Sequence, residues 1–347
     1  MKQILFFFIC FYVFSVAAQQ NRNYKIAAVA FYNCENFLDT IHNNAAYKNG
    51  GTFEEKVLTP AMYMDKLNKI TEVISKIGAD DNPLAADGPA VMGLAEINSK
   101  WVLNDIVHHP LLLKKHYRYI HYDSKDARGI EVALLYNPKY FIVDISRALP
   151  VKIESNGRYY YSRDILWVKG RLNGEVFHFY VNHWPSRLNG QGASDAARWK
   201  AALVCRNHID SILQKEPEAK IIVMGDFNDE PFNYSISEVL QAKNSIQKQE
   251  PGQLYNPWYD KIKKGIGTLA YQDTWALFDQ ILLSKSLLRK NQQGFFYYQS
   301  TVFNKAFLTE NLGKYKGYPM RTWDGNNYRG GYSDHFPVYI TLLKRVD

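Results

Sequence analysis

Short apolar runs of strand length recur along almost the whole chain, and they constrain the fold more than any other feature. Only two segments show helical spacing of apolar residues, Met64–Ile77 and Ala196–Leu213. Helices therefore do not alternate strictly with strands, which argues against a doubly wound parallel sheet. The pattern predicts an α/β fold in which two mixed sheets pack together and helices cover the outside. The runs predicted as strands are Ile26–Phe31, Val91–Leu94, Ile130–Tyr136, Leu166–Leu172, Val176–Val181, Ile221–Met224, Gln280–Leu283 and Val338–Leu342.

The first eighteen residues have the pattern of a signal peptide. An apolar run from Ile4 to Val16 ends at Ala17-Ala18, small residues of the kind that signal peptidase cleaves after. The run is shorter than the roughly 20 residues that span a bilayer. We therefore expect a signal peptide at 1–18 and a secreted or periplasmic product with no later transmembrane segment. An uncleaved N-terminal anchor, holding the same domain outside the membrane, is the alternative.

The rest of the chain is predicted to be one domain, residues 19–347. The sequence has 347 residues, of which 46% are hydrophobic and 15% aromatic, enough for a sizeable core. No linker, charge block or internal repeat divides it. We expect a monomer, with Cys34 and Cys205 partly buried and unpaired because two cysteines form no disulfide framework.

The net charge is modestly positive, +8 for the whole chain and +7 once Lys2 leaves with the signal peptide. A positive charge favours polyanionic partners such as nucleic acid or anionic headgroups. Basic residues are scattered rather than striped, so an ordinary basic surface explains the charge equally well.

Polar side chains lie where the predicted strands begin or end. Loops at one end of a sandwich can converge although they are far apart in sequence, and catalytic groups favour such loops. We therefore expect these side chains to lie together. Those that follow strands are Asn33, Glu96, Asn182, His183, Asp226 and Asn228, and those that precede strands are Asp279, Asp334 and His335.

Three of these residues form a candidate metal site. Glu96 ends an apolar strand, where a carboxylate is costly to bury unless it is paired or metal-bound. Magnesium takes oxygen ligands, usually one or two protein carboxylates with water and phosphate. Glu96, Asp334 and the Asn33 amide fit that preference. Taken alone, Glu96 would more often be a surface acid.

Two further groups are candidates for acid–base chemistry. Gly225 is expected to turn the chain and present Asp226 and Asn228 together, so that Asp226 orients a water and Asn228 donates to a phosphoryl oxygen. An Asx turn closing the strand is the plain alternative. Beside Asp334, His335 can face Asp279, which would fix its tautomer and make it a general base near neutral pH.

Hydrogen-bond donors suited to an anion cluster after the fifth predicted strand. The segment from Asn182 through His183 to Arg187 offers amide, imidazole, hydroxyl and guanidinium groups. Arg128 and Arg163 add candidate bidentate phosphate contacts. Solvated arginines are the alternative. Phosphate-binding loops, zinc-protease helices and nucleophile elbows are absent from the sequence.

Taken in order, seven short motifs resemble the endonuclease/exonuclease/phosphatase superfamily, which includes deoxyribonuclease-I-like nucleases, neutral sphingomyelinases and inositol polyphosphate phosphatases. The resemblance covers nearly all of the mature chain and suggests a secreted bacterial-type member. The motifs are Phe31-Tyr32-Asn33-Cys34-Glu35-Asn36, Gly93-Leu94-Ala95-Glu96, Arg128-Gly129-Ile130-Glu131-Val132-Ala133, Asn182-His183-Trp184, Gly225-Asp226-Phe227-Asn228, Phe278-Asp279-Gln280-Ile281 and Ser333-Asp334-His335.

The resemblance implies a four-layer α/β sandwich and a Mg²⁺ or Mn²⁺ ion near Asn33, Glu96 and Asp334. It also implies that His335, held by Asp279, activates water, that Asp226 helps to position it, and that Asn228 and His183 stabilise the pentacovalent phosphorus. Whether His335 or Asp226 is the base stays open. Because export favours degradation of external polymers, the leading hypothesis is a secreted endonuclease or phosphodiesterase. A phospholipid or sugar-phosphate phosphatase, sphingomyelinase-like, is next, and a non-catalytic binding domain is the alternative of another class.

Overall fold

The structure is a computed structural model that describes residues 23–40, 58–79, 85, 87–155, 157–187, 190–290 and 293–346. The predicted signal peptide lies outside the described residues. The strands are β1 Asn23–Phe37, β2 Val91–Ile97, β3 Arg118–His121, β4 Glu131–Tyr136, β5 Phe141–Leu149, β6 Lys152–Ser155, β7 Arg158–Tyr161, β8 Ile165–Leu172, β9 Glu175–His183, β10 Lys220–Asp226, β11 Ala242–Lys243, β12 Leu254–Tyr255, β13 Leu269–Tyr271, β14 Thr274–Ala276, β15 Asp279–Ser284, β16 Phe296–Val302, β17 Trp323–Asp324, β18 Asn327–Tyr328 and β19 Val338–Val346. The α-helices are α1 Pro60–Lys76, α2 Lys100–His108, α3 Pro110–Leu113, α4 Gln191–Leu213 and α5 Tyr259–Lys263.

Two mixed sheets form the centre of the molecule. The first has six strands in the order β16-β19-β1-β2-β4-β3, and the second has seven in the order β11-β12-β15-β10-β9-β8-β5. In the first sheet β1 and β2 are parallel, while β19 runs antiparallel to β1. In the second, β9 and β10 are parallel, while β15 runs antiparallel to β10. Each sheet therefore mixes both kinds of pairing.

Side-chain alternation along β10 shows how the layers stack. Ile222 and Met224 belong to the core shared with the first sheet and α1. Ile221 and Val223 point the other way, into the core formed with α4. Successive strand residues face opposite sides of a sheet, so one side of β10 packs on the other sheet and the other side packs on a helix. This arrangement confirms the predicted fold of two mixed sheets flanked by helices.

The two sheets approach each other closely at Gly93 of β2. A Cβ atom at this position would lie 2.9 Å from Met224 Sδ and 3.0 Å from Val181 Cγ1, both in the second sheet. Only glycine leaves room for that contact, because a close-packed core has no space for an added methyl group.

We expect Gly93→Ala to lower the free energy of unfolding by about 1–3 kcal/mol, because the second sheet must shift to admit a methyl group. Urea denaturation of the purified protein measures the change. Gly192→Ala is the control, since its Cβ meets nothing within 4 Å on an exposed turn of α4. The control should be neutral or stabilising by under about 1 kcal/mol. Equal losses in both variants would contradict the packing argument.

All eight predicted strands and both predicted helices are present, most of them with longer bounds, although β4 begins one residue later than predicted, at Glu131, and α1 ends one residue earlier, at Lys76. The sequence analysis missed α2, although Val102, Leu103 and Ile106 are spaced for one buried helical face. It also missed β5, whose alternation is irregular because it is an edge strand with many exposed residues. Cys34 and Cys205 are free, as expected, and both are buried. Within the described ranges, no helix has both the length and the apolar composition needed to cross a membrane.

Strand direction brings the polar strand ends to one edge. The parallel strands β9 and β10 end there with His183 and Asp226, and antiparallel β15 begins there with Asp279. In the first sheet β1 and β2 end at this edge, and β19 begins just after His335. The mixed topology thus gathers residues from five strands at one end of the sandwich.

Candidate active site

Irregular pairing between β1 and β2 shapes one wall of the site. Their register shifts between Asn33 and Phe37. Three residues there have positive φ angles, Glu35 at 48°, Asn36 at 47° and Glu96 at 62°. Asn33 and Glu96 were expected to follow their strands, which is wrong, because pairing resumes at Phe37 and Ile97. The bulge turns the Glu96 carboxylate back, so that Oε2 accepts a hydrogen bond of 2.7 Å from the Asn36 amide.

The Asn33 side chain joins the two sheets. Its Nδ2 donates to Glu96 Oε1 at 3.3 Å and to Asp226 Oδ2 at 3.0 Å. His183 Nε2 lies 3.7 Å from the same two carboxylate oxygens. Residues from β1, β2, β9 and β10 therefore converge within hydrogen-bonding or near-contact distance, as the strand-end pattern predicted.

A buried histidine–aspartate pair closes the opposite wall. His335 Nδ1 lies 2.7 Å from Asp279 Oδ2, and both residues are buried. Ser333 Oγ accepts from the His335 amide at 3.1 Å and donates to the Asn33 carbonyl at 2.7 Å, which ties the pair to β1. Burial by itself would lower the pKa of His335, but Asp279, together with Asp334 and Asp226, raises that pKa well above 6.5.

Asp226 and Asn228 form a tight turn after β10. Asp226 Oδ1 accepts from the Asn228 amide at 2.9 Å, and Asn228 has a φ of 50°. The Asx turn is thus present, yet Asp226 Oδ2 still faces Asn33 and His183. Burial raises the pKa of Asp226 to about 7, with His335 opposing that rise. Gly225 was expected to turn the chain, but it lies within β10, where a Cβ would come 2.4 Å from the Asn182 carbonyl of β9.

His183 has the opposite electrostatic character to His335. Burial, with Arg128 and His335 nearby, lowers its pKa well below 6.5. Its Nδ1 is buried without a hydrogen-bond partner among the described residues. A neutral imidazole at this place can donate from one nitrogen and accept at the other.

The candidate phosphate-binding residues differ in what they contact. Arg163 is buried and donates to the carbonyls of His183 and Trp184. Both polar atoms of Asn182 are engaged inside the protein, Nδ2 with the Met224 carbonyl and Oδ1 with the Trp184 indole. These two side chains hold the loop after β9 through hydrogen bonds within the protein.

Arg187 and Arg128 lie nearer the surface. Arg187 Nε donates to the Asn228 carbonyl at 2.8 Å. Its Nη2 donates to Asp229 Oδ1 at 3.1 Å and to Asn233 Oδ1 at 3.0 Å. Arg128 is 28% exposed and its Nε lies 3.5 Å from Asp126. Because its charge also acts on His183, Arg128 is the arginine of the predicted set that best fits contact with substrate.

The donor set at this edge fits a divalent cation. Carboxylate oxygens of Glu96 and Asp226 converge on one point at Asn33, which matches the preference of Mg²⁺ or Mn²⁺ for oxygen ligands. A second grouping, Asp226, Asp279 and His335, has ligand atoms within 4.8 Å of one another. In that grouping His335 Nδ1 is already bonded to Asp279, so we favour the first. The Asp334 carboxylate lies close enough to Glu35 to help raise the pKa of the Glu35 carboxyl.

Sequence reasoning missed two buried charged residues behind the site. Glu35 accepts from the amides of Thr322 and Trp323 at 2.6 and 3.1 Å. Lys66 of α1 is fully buried, contacts Thr322 Oγ1, and donates to the Tyr332 carbonyl at 2.7 Å. Both therefore fasten the segment that leads into Asp334 and His335. Lys66 lies on the apolar face of a helix, so periodicity alone could have marked it as buried.

Replacement of Lys66 with methionine should cost about 3 kcal/mol or more of unfolding free energy, because charged hydrogen bonds are lost and their buried acceptors stay unpaired. Thermal and urea denaturation measure the loss. Lys76→Met, at the other end of α1, removes a half-exposed i,i+4 pair with Glu72 and should cost under about 1 kcal/mol. Similar losses for the two lysines would show that Lys66 does not anchor the segment.

Glu131, in the third motif, makes stability depend on pH. It is buried, accepts from Ser124 Oγ at 2.9 Å, and burial raises its pKa to about 7 from a usual 4.5. The folded state then holds the proton more tightly, so its stability falls as pH rises from about 4.5 to 7. Compared with Glu131→Gln, the wild type should lose about 3 kcal/mol over that range. Parallel pH profiles of unfolding free energy would rule this out.

The fold and the polar edge define an α/β sandwich with a candidate active site between its two sheets. A sequence profile described as Endonuclease/Exonuclease/phosphatase family matches residues 28–344. The chain therefore belongs to this family, whose members hydrolyse phosphoesters and typically depend on divalent metal ions. No curated protein matches the chain in sequence.

Solved structures share the fold at low sequence identity. An endonuclease/exonuclease/phosphatase family protein from Bacteroides thetaiotaomicron is 16% identical, with a TM-score of 0.57 over 94% of this chain and 100% of that one. A mannosyl-6-phosphatase from the same organism is 17% identical, with a TM-score of 0.54 over 91% and 99%. Humanized D. rerio TDP2 is 14% identical, with a TM-score of 0.54 over 92% and 99%. At these identities the similarity shows the fold alone.

Proposed function

We propose that the protein is an exported, Mg²⁺- or Mn²⁺-dependent phosphodiesterase, with a nucleic acid as the leading substrate. The observation that carries the proposal is the buried pair of His335 and Asp279 opposite the Asn33-bridged carboxylates of Glu96 and Asp226. A general base, hydrogen-bond donors and oxygen ligands for a cation occupy one edge, which is the set that phosphoester hydrolysis requires.

Each side chain has a defined part in the proposed reaction. Asp279 engages His335 Nδ1, so that Nε2 is the nitrogen directed at a water molecule. The proton from that water passes to His335 Nε2 once the imidazole is neutral, or to the Asp226 carboxylate. His183 and the Asn228 amide stabilise charge on the phosphoryl oxygens, and Arg128 binds the phosphate. Glu96 and Asp226, with the predicted ligands Asn33 and Asp334, would hold the cation, which would supply Lewis-acid stabilisation when bound.

Hydrolysis by the mature full chain tests the activity. Bis-p-nitrophenyl phosphate, p-nitrophenyl phosphate and plasmid DNA are each incubated with Mg²⁺, with Mn²⁺ or with EDTA. Diester and DNA cleavage abolished by EDTA supports the proposal. Turnover of only the monoester would favour a phosphatase of sugar phosphates or lipids instead. No turnover on any substrate with either metal would favour the non-catalytic domain.

Export is tested separately, because it rests on the N-terminal residues alone. Expression of the full chain in a bacterial host should yield a product outside the cytoplasm whose N terminus, by mass spectrometry, is Gln19. Retention of Met1 in a membrane fraction would instead indicate the uncleaved anchor.

A further inference from the structure

Four aromatic side chains form an exposed patch beside the candidate active site, which we term the aromatic shelf. It consists of Trp199 on α4, Phe232 and Tyr234 in the loop after β10, and Tyr259 on α5. The first three are 41%, 53% and 56% exposed. The rings contact one another in two pairs, with centroids 5.1 Å apart for Trp199–Tyr234 and 6.5 Å apart for Phe232–Tyr259, and the loop residues Phe232 and Tyr234 link the pairs through the chain. Single exposed rings are common on protein surfaces, but several exposed rings close together mark a candidate interaction surface.

Hydrogen bonds fix the shelf to the catalytic loop. Arg187 donates to the Asn228 carbonyl and also to Asn233 Oδ1. In the sequence, Asn233 stands between Phe232 and Tyr234. Asn233 Oδ1 accepts in addition from the Glu230 amide at 2.6 Å. Only three residues separate Asn228 from Phe232. The shelf therefore adjoins the catalytic loop and is hydrogen-bonded to it.

Positive charge accompanies the rings. The segment 259–264 contains three lysines and one acid, Asp260. Lys263 Nζ lies 4.5 Å from the centre of the Tyr259 ring, and Lys261 Nζ lies 5.9 Å from that of Trp258. None of Lys261, Lys263 and Lys264 forms a salt bridge with a residue in the described part of the chain. The shelf thus combines flat ring surfaces with unpaired cations.

We propose that the aromatic shelf binds the unpaired bases of a single-stranded nucleic acid while the lysines contact its phosphates. This inference rests on the proposed phosphodiesterase function and names its substrate class. Stacking rings beside a basic groove are how proteins hold single strands without reading sequence. A lipid surface is less suited, because each of the four rings contacts another ring and the Tyr259 ring is also covered by Lys263.

Fluorescence anisotropy of a fluorescein-labelled thymidine 12-mer tests the proposal, using the mature full chain in EDTA so that no strand is cut. Phe232→Ala and Tyr234→Ala should each weaken binding by about fivefold to a hundredfold. Joint replacement of Lys263 and Lys264 by serine should reduce the slope of log K against log salt by about 1.4. Tyr298→Ala, an equally exposed ring on β16 in the other sheet, should change nothing.

Three results would overturn the proposal: no binding of the oligonucleotide, equal binding by all variants, or an equal loss in Tyr298→Ala. Sedimentation with phosphatidylserine vesicles adds a fourth, because vesicle binding that Phe232→Ala abolishes, with oligonucleotide binding intact, would assign the shelf to lipid. These binding readouts do not depend on turnover. Failure of the phosphodiesterase function appears instead in the hydrolysis of bis-p-nitrophenyl phosphate by the wild type.

Discussion

Replacement of His335 by alanine is expected to lower kcat for bis-p-nitrophenyl phosphate by about a hundred- to ten-thousandfold. The imidazole is buried, lies 2.7 Å from Asp279 and is close enough to Asp226 to be affected by its charge. Alanine removes this proposed base and puts no other proton acceptor in its position. Steady-state kinetics at saturating Mg²⁺ measure the loss. His108→Ala, an exposed histidine at the end of α2, is the control and should retain wild-type turnover.

Asp279→Asn distinguishes a dyad from two independent residues. The carboxylate fixes the His335 tautomer, so an amide there should also lower kcat, and the double variant should be no worse than His335→Ala alone. Multiplicative losses would show that the two residues act separately. If His335→Ala kept more than a tenth of the wild-type kcat, the proposed base would be wrong, and Asp226 would be the remaining candidate.

The regular parts of this fold were predictable because their signals are local. Alternation and apolar runs identified the strands, and the position of polar residues at strand ends identified the edge where they meet. His335 and Asp279 were paired from sequence because each lies near the start of a predicted strand, and the structure brings the starts of β15 and β19 together. Local patterns and ordered motifs were sufficient for these assignments.

What escaped prediction depends on contacts between distant segments. Periodicity places Lys66 on the buried face of its helix, but its partners Thr322 and Tyr332 lie more than 250 residues away in sequence and could not be foreseen. Asn182 and Arg163 have the chemistry of phosphate ligands, but the structure directs them to backbone carbonyls and an indole. Residue type cannot distinguish a donor that binds substrate from a donor that holds a loop.

The bulge at Glu96 could not be predicted either, because it depends on the pairing of β1 with β2. Replacement of Glu96 has the second large expected effect on activity. Glu96→Gln should lower kcat by about a thousandfold, since loss of metal-bound charge stabilisation costs several kcal/mol. The amide replaces the carboxylate without a change of shape and can still accept from Asn36, so the variant tests charge and not the bulge. Glu154→Gln, an exposed residue on β6, is the control and should be unchanged.

Metal binding by the Glu96→Gln variant separates the two possible cation sites. If Glu96 is a ligand, titration of the protein with Mn²⁺, followed by electron paramagnetic resonance, should show affinity at least about tenfold weaker than that of the wild type. This readout does not require turnover. Unchanged Mn²⁺ affinity would move the cation to Asp226, Asp279 and His335, the grouping whose ligand atoms lie within 4.8 Å of one another. In that case Asp226→Asn should abolish Mn²⁺ binding, and Asp279 would bind the ion instead of orienting the histidine.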